Sequence, residues 1–209
     1  MSTTSNSKCK KCRRLGRSVC GSLKCAFFKR PQPPGPKRGR KRPGGGASEY
    51  GKQLHAKQEV RALYGIRERQ FRNYVRHLIL RQKSQTRSAS AEFLWALERR
   101  LDNMVYRMGF AATRSVARQL VSHGHILVNG VRANIPSYAL RISDVVSMHP
   151  ISKSKVLFKN ITVHLAEYQV PSWLEVDKDK MEGKIVALPN PEDTQDTANF
   201  QMIFEYYAR

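Results

Sequence analysis

Four cysteines are the residues whose type and spacing most directly predict chemistry. They lie within seventeen residues, in the order Cys9-x2-Cys12-x7-Cys20-x4-Cys25. Two close pairs separated by a short loop can place four thiolates tetrahedrally around a cation, so the spacing predicts one structural Zn²⁺ site. An iron–sulfur cluster and free or redox-active thiols are the alternatives. No histidine lies near the cysteines, so we do not expect a catalytic zinc with an open position.

Basic side chains surround the cysteines and continue into the segment that follows. Residues 29–46 contain five prolines, five glycines and seven basic residues, without an acidic one. Such a segment has no core of its own, so it is either a solvated linker or an extended arm that lies against nucleic-acid phosphates. The density of uncompensated charge favours the arm. The candidate RNA-binding residues here are Lys10, Lys11, Arg13, Arg14, Lys37, Arg38, Arg40, Lys41 and Arg42.

The formal net charge is +22, and it is unevenly distributed. Residues 1–90 contain 24 basic and three acidic side chains, whereas residues 91–209 contain 14 and 13. An excess of this size in one half of a chain predicts a polyanionic partner. The sequence has no apolar run near the roughly 20 residues that a membrane-spanning helix needs, and no apolar leader segment. We therefore expect a cytoplasmic protein with no membrane partner.

Three helices are predicted between residues 49 and 99. The first carries Leu54, Val60 and Leu63 and ends near Gly65. The second spans residues 67–83 and has two distinct faces. Its apolar face consists of Phe71, Tyr74, Val75, Leu78 and Ile79, and its acid-free face carries the candidate RNA-binding residues Arg69, Arg72 and Arg76. The third, over residues 91–99, adds Phe93, Leu94 and Leu97 to a core.

A different unit is predicted from residue 99 onward, beginning with two helices. The first starts at Arg100-Leu101-Asp102 and ends at Gly109, and Asp102 is interpreted as a helix-start or ion-pair residue. Thr113 is a predicted N-cap for the second. This helix is predicted to bury Val116, Ala117, Leu120 and Val121 and to carry Arg114 and Arg118 on its flank.

A small sheet is predicted to follow these two helices. Asn129-Gly130 stands between two extended runs, which is the pattern of a hairpin with a type I′ turn. Further short strands are predicted at residues 145–148, 156–158, 161–165 and 184–187. Two helices followed by a mostly antiparallel sheet make an α+β module.

Several segments together resemble the bacterial-type family of ribosomal protein four of the small subunit. The helical block and the module carry SEYGKQLHAKQEVRALYGIRERQFRNY at 48–74 and RRLDNMVYRMGFAATRSVARQLVSHGHILVNG at 99–130. Shorter matches are RPQPPG at 30–35, IPSY at 135–138, VPSWLEVDKDKMEGKIVALP at 170–189 and FEYYAR at 204–209. The block at 99–130 is similar to an RNA-binding module shared with other proteins, whereas the other blocks are specific to the ribosomal family.

The resemblance implies an α+β protein in three parts. A zinc knuckle and basic extended arm occupy residues 1–46, a helical domain occupies 47–98 and is completed by 190–209, and an inserted RNA-binding module of two helices and a small antiparallel sheet occupies 99–189. The module residues that it implies at the RNA are Arg100, Arg107, Arg114, Arg118, His123 and His125.

The resemblance also implies partners and a role. The protein would be a constituent of the small ribosomal subunit that binds 16S ribosomal RNA early and nucleates folding of the 5′ domain. It would contact ribosomal protein five and other small-subunit proteins. It would lie near the messenger RNA entry channel and influence decoding accuracy, in the ribosomes of a bacterium or an organelle.

Enzymatic motifs are missing from the sequence. Residues 44–46 lack the Lys-Ser/Thr of a phosphate-binding loop, and neither Gly-x-Ser-x-Gly nor His-Glu-x-x-His occurs. We expect no enzymatic activity and no small-molecule substrate. An RNA-modifying enzyme with the same module would need roughly 150 further residues for a catalytic domain. Two regulators stay as hypotheses: a zinc-containing DNA-binding protein, which needs a recognition helix, and an RNA-binding protein acting off the ribosome, such as a repressor of its own messenger.

Overall fold

The computed structural model describes residues 9–22, 24–35, 48–81, 88–153, 161, 165, 168–189 and 200–208. The chain divides into two compact units. The first consists of Met1–Val75 and Ala198–Arg209, and the second consists of Arg76–Thr197. The C-terminal residues therefore return to the N-terminal unit.

In the described residues the first unit is helical, and the second unit combines helices with short strands. The helices in the described residues are α1 (Lys10–Leu15), α2 (Ala26–Lys29), α3 (Glu49–Leu63), α4 (Glu68–Arg81), α5 (Ala89–Glu98), α6 (Leu101–Arg107), α7 (Arg114–Ser122), α8 (Pro150–Lys153) and α9 (Phe200–Ala208). The strands are β1 (Ile126–Val128), β2 (Val131–Ala133), β3 (Val145–Met148), β4 (Leu174–Asp177) and β5 (Glu182–Ile185). This confirms the predicted α+β class. No helix in the described ranges is long and apolar enough to cross a membrane.

In the first unit, local signals set the ends of α3. The Ser48 hydroxyl accepts a hydrogen bond from the Gly51 N–H at 3.2 Å and so caps the helix start. Gly65 adopts a φ of +62° just after the helix, as the predicted end requires. The C-terminal helix α9 packs on α3, where Gln53 Nε2 donates to Glu205 Oε2 at 3.1 Å.

The predicted apolar face of α4 is confirmed in most positions, but the prediction that Ile79 belongs to it is wrong. Phe71 and Val75 are fully buried, but Ile79 is 39% exposed. At about 100° per residue Ile79 lies about 80° around the helix from Phe71, so it falls at the edge of the buried arc. The predicted continuation to residue 83 lies outside the described residues.

The second unit is built around a five-stranded antiparallel sheet in the order β2-β1-β3-β5-β4. The turn between β1 and β2 confirms the predicted hairpin, because Asn129 and Gly130 both have positive φ, at 49° and 80°. The Asn129 side chain also joins the hairpin to β3: its Nδ2 donates to Asp144 Oδ1 and its Oδ1 accepts from the Val145 N–H.

Helices α6 and α7 cover this sheet with the predicted apolar residues. Leu101, Met104, Val105 and Met108 are fully buried and share one cluster with core residues of the strands. Thr113 caps α7 as predicted, accepting from the Val116 N–H at 3.3 Å. The prediction that Val116 is buried is wrong, because it is 42% exposed. It lies about 90° from the centre of the arc that Ala117, Leu120 and Val121 form.

The strands predicted after the hairpin are confirmed only in part. The first is β3, but Ile161 and Leu165 are helical rather than extended, and Leu165 is buried in the core cluster. Residues 156–158 lie outside the described residues. The last predicted strand is shifted to β5, and its partner β4 was not predicted, although it pairs with β5 from Leu174↔Ile185 to Asp177↔Glu182.

Candidate metal centre and nucleic-acid interface

The four cysteine side chains converge in the first unit. Cys9 precedes α1, Cys12 lies within it, and Cys25 is the N-cap of α2. Their Sγ atoms and that of Cys20 all lie within 4.8 Å of one another. A Zn²⁺ ion with four Zn–S bonds of about 2.3 Å holds its sulfur atoms about 3.8 Å apart, so a contraction of about 1 Å completes the site. The geometry and the soft donor set therefore fit a metal ion.

The thiols lie in unequal environments. Burial raises the pKa of Cys12 to about 12. Burial also acts against ionisation of Cys25, but the backbone N–H of Phe27 and the Ser18 side chain outweigh it and lower the pKa of Cys25 to about 7. The Phe27 N–H donates to the Cys25 Sγ at 3.5 Å. The same kind of hydrogen bond stabilises a metal-bound thiolate.

Residues 9–30, called the knuckle below, are attached to α3. The knuckle has a small core of Cys12, Val19 and Cys25, against which Ala62 of α3 packs. Arg17 of the knuckle forms an ion pair with Glu59 of α3. A core this small cannot order the segment alone, so a metal ion would supply the missing stabilisation.

The cationic residues predicted in the first half of the chain largely face solvent where the structure describes them. Lys10, Lys11 and Arg14 are exposed on the knuckle, and Arg13 is half-buried with its Nε donating to the Gln32 carbonyl oxygen at 2.8 Å. On α4, Arg69, Arg72 and Arg76 are all exposed. The arm residues Lys37, Arg38, Arg40, Lys41 and Arg42 lie outside the described residues.

Glu98, at the end of α5, is the fully buried centre of a polar network in the second unit. It accepts two hydrogen bonds from Arg107, at 3.0 and 2.8 Å, and one from Asn103 Nδ2 at 2.6 Å. Arg107 was predicted to bind RNA, but it is only 9% exposed because Glu98 holds its guanidinium group inside the module. Arg107 therefore lies in the interior, and its predicted contact with RNA stays a prediction.

Asp102 forms a second centre on α6. Its carboxylate accepts from Arg100 at 3.1 and 2.9 Å and from Arg118 at 2.9 and 2.6 Å. This confirms the predicted ion-pair role of Asp102. Arg100 is 2% exposed and thus lies in the interior as well, while its predicted contact with RNA stays a prediction. The buried Asp102 carboxylate thus neutralises the buried Arg100 and also holds the Arg118 guanidinium group at the surface.

The flank arginines of α7 are fixed by α6. Arg118 is held by Asp102, and Arg114 Nε donates to Asn103 Oδ1 at 2.8 Å. The Arg114 guanidinium group also lies 4.6 Å from the centre of the Tyr106 ring. Both arginines remain half-buried. Sequence reasoning missed Glu98 of α5 and both Asn103 and Tyr106 of α6, because their contacts depend on how these helices pack and no local spacing signals them.

The two predicted histidines lie beyond the end of α7. His123 is exposed, whereas His125 is half-buried and its Nδ1 lies 2.9 Å from the Ser152 Oγ. Their rings are 6.1 Å apart. His123 is thus available at the surface, and His125 is fixed by a neighbour.

Comparison with known proteins agrees with this architecture. Residues 4–95 match the family model "Ribosomal protein S4/S9 N-terminal domain", and residues 99–146 match the model "S4 domain". The small ribosomal subunit protein uS4 of Syntrophomonas wolfei is 41% identical over 216 residues, covering 100% of both chains. That of Caldicellulosiruptor saccharolyticus is 44% identical over 207 residues, covering 96% of both. The chain belongs to the uS4 family of small ribosomal subunit proteins.

The two family models match different parts of the chain, and most of the candidate residues lie in one or the other. The N-terminal match contains the four cysteines, α3 and α4, while the S4-domain match contains the Asp102 centre, α7 and the β1–β2 hairpin. The family resemblance predicted from the sequence is therefore confirmed over both halves of the chain.

Proposed function

We propose that the protein is a structural constituent of the small ribosomal subunit that binds 16S ribosomal RNA and has no enzymatic role. The observation that carries this proposal is the full-length similarity to small ribosomal subunit proteins uS4, at 41% identity over 100% of both chains. The exposed, acid-free arginine face of α4 and the fixed arginines of α7 support it, because planar guanidinium groups suit phosphates and stacked bases.

The finer parts of the role follow from the family resemblance. We propose that binding occurs early and nucleates folding of the 5′ domain. The protein would then contact ribosomal protein five and other small-subunit proteins, and lie near the messenger RNA entry channel, where it influences decoding accuracy. Its place would be the ribosome in the cytoplasm.

The chain's segments would divide this work. Residues 1–46 would hold one structural Zn²⁺ ion at Cys9, Cys12, Cys20 and Cys25 and place the basic arm along the RNA. Residues 47–98 with 190–209 would present the α4 arginines. Residues 99–189 would present Arg114, Arg118, His123 and His125.

The test is a binding experiment with the full zinc-loaded chain. The affinity for a transcript of the 16S 5′ domain is measured against an equally long transcript from another 16S domain, at several salt concentrations. We expect a preference of roughly 10³-fold or more for the 5′ domain, with a log–log salt slope of about −0.7 to −0.9 per phosphate contact. Equal affinity for both transcripts, or a slope near zero, contradicts the proposal.

A further inference from the structure

We propose that a cleft at the end of α7 binds one phosphodiester group of the RNA, an inference that rests on the proposed function. The cleft has a volume of about 330 Å³ and is lined by Ser122, His123, Gly124, Arg132 and Asn134. This volume is at the lower end of the range for small-ligand sites, so it accommodates a phosphate and the adjoining ribose. Of these residues, only His123 stood out in the sequence.

Two backbone carbonyl oxygens hold the Arg132 guanidinium group in place at the cleft. Its Nε donates to the Gly124 carbonyl oxygen at 3.0 Å, and its Nη2 donates to the His123 carbonyl oxygen at 3.2 Å. These bonds occupy one edge of the planar guanidinium group. Among the described residues the other edge makes no hydrogen bond, so it can donate two parallel bonds to phosphate oxygens.

Gly124 makes this position of Arg132 possible. It adopts a φ of +70°, and a Cβ atom placed on it would lie 2.7 Å from the Arg132 Cζ, well inside van der Waals contact. A side chain at residue 124 would therefore displace the guanidinium group as well as strain the backbone. Gly124 therefore allows both the positive φ at the end of α7 and the close approach of the Arg132 guanidinium group.

The chemistry of the lining selects an anion. Among the residues that the structure describes, no carboxylate lines the cleft, while Ser122 and Asn134 offer neutral donors beside the fixed cation. The lining side chains are exposed, so water competes for a single phosphate there. A phosphate that belongs to a polymer held at other points gains effective concentration, which a free nucleotide lacks. The structure thus favours an RNA phosphodiester over a free nucleotide.

A matched pair of charge variants tests the cleft. Arg132→Gln and Arg141→Gln each remove one positive charge from the second unit, and Arg141 is an exposed residue outside the cleft. We expect Arg132→Gln to lower affinity for the 5′-domain transcript about tenfold more than Arg141→Gln. For Arg132→Gln, the slope of log affinity against log salt concentration should become shallower by about 0.7 to 0.9, which is the contribution of one phosphate contact. Equal losses in the two variants overturn the proposal.

A second pair of variants moves the Arg132 guanidinium group out of its position without changing the net charge. Gly124→Ala displaces Arg132, whereas Gly130→Ala introduces a side chain at a similar positive φ where no atom lies within 4 Å. With circular dichroism establishing that both fold, Gly124→Ala should lose several-fold more affinity for the RNA. Equal affinities contradict the proposal.

Two further results separate this inference from the proposed function. If the unmodified chain fails to prefer the 5′-domain transcript, the proposed function is wrong. If it does prefer that transcript and Arg132→Gln binds as Arg141→Gln does, only the cleft is wrong. Adenosine monophosphate is titrated against the unmodified chain as well, followed by the NMR signal of the Gly124 amide. Saturation at micromolar concentration would identify a free-nucleotide site and overturn the RNA assignment.

Discussion

At the scale of single residues, Asp102 decides where two arginines go. Its side chain is 5% exposed and accepts hydrogen bonds from buried Arg100 and from Arg118, which is 37% exposed. The Asp102 carboxylate and the two guanidinium groups together have a net charge of +1. Because Arg100 is buried and Arg118 is partly exposed, this positive charge lies on the surface side. The orientation of Arg118 is set by α6, which would lower the entropy cost of the RNA binding that we propose for it.

Removing Asp102 should destabilise the second unit far more than removing Arg118. Asp102→Ala leaves Arg100 buried without its carboxylate, which costs about 3–5 kcal/mol in the free energy of unfolding. Arg118→Ala leaves the Arg100–Asp102 pair intact, so we expect a loss of about 1 kcal/mol or less. Urea denaturation measures both values. Similar losses would show that the Arg100 pair is not the main stabilising contact.

Residue roles could be predicted from the sequence when they depend on near neighbours. The cap at Thr113, the turn at Asn129-Gly130 and the ion-pair role of Asp102 follow from local spacing. The burial of Arg107 could not be predicted, because a basic residue is buried only when the fold brings a carboxylate to it. Glu98 lies nine residues from Arg107, beyond the reach of helix periodicity within one element.

At the scale of elements, Glu68 connects three helices of the first unit. It begins α4, accepts from Lys57 and Arg61 of α3 at 3.0 and 2.6 Å, and accepts from the Tyr207 hydroxyl of α9 at 3.0 Å. Partial burial opposes ionisation, but the hydrogen bonds from Lys57, Tyr207 and Arg61 outweigh it and lower the pKa of Glu68. The charged carboxylate thus stabilises the packing of these helices.

Glu68→Gln should reduce stability at neutral pH by about 1–2 kcal/mol, since Gln keeps the shape and loses the charge. Because the folded pKa is below the unfolded value of about 4.3, the stabilisation is complete above that value and disappears as the pH falls through the folded pKa. Unfolding measured from pH 7 to pH 2 should show the difference shrinking.

The matched control for this variant is Glu49→Gln. Among the described residues, Glu49 pairs only with exposed Lys52, at 3.4 Å, so this change should have little effect at any pH. A Glu68→Gln difference that stays constant with pH would contradict the role of the charge.

The knuckle should depend on its metal ion. We expect about one zinc per chain by atomic absorption. Chelation or Cys12→Ser should remove it and broaden or shift the amide NMR signals of residues 9–30, because the small core cannot order them alone. Ser22→Ala, within the same segment, should keep the zinc. Bound iron with visible absorption would favour the iron–sulfur alternative, and unchanged signals without metal would contradict the structural role.

Elements with clear end signals could be predicted, and short ones could not. Helices α3, α6 and α7 have caps or positive-φ glycines at their ends, so their bounds follow from the sequence. Strand β4 has four residues, and its pairing with β5 rather than its own pattern makes it a strand. The apolar run at 161–165 is too short for periodicity to separate a strand from a helix.

At the scale of the whole molecule, the charge and the fold are distributed differently. Nearly all of the +22 net charge belongs to residues 1–90, whereas the five-stranded sheet and its core cluster belong to residues beyond 100. We propose that the charged half supplies long-range attraction to RNA and that the second unit adds a few arginines of fixed orientation. Binding that is tight and specific would need both contributions.

As a structural part of the small ribosomal subunit, this chain should remain bound to the subunit in a fixed ratio. The most direct measurement is its stoichiometry in small subunits purified from its own cells, after a high-salt wash that removes loosely bound proteins. We expect about one copy per subunit, retained through the wash together with the 16S RNA. Recovery of the protein only in the wash, or at a small fraction of a copy per subunit, would contradict it.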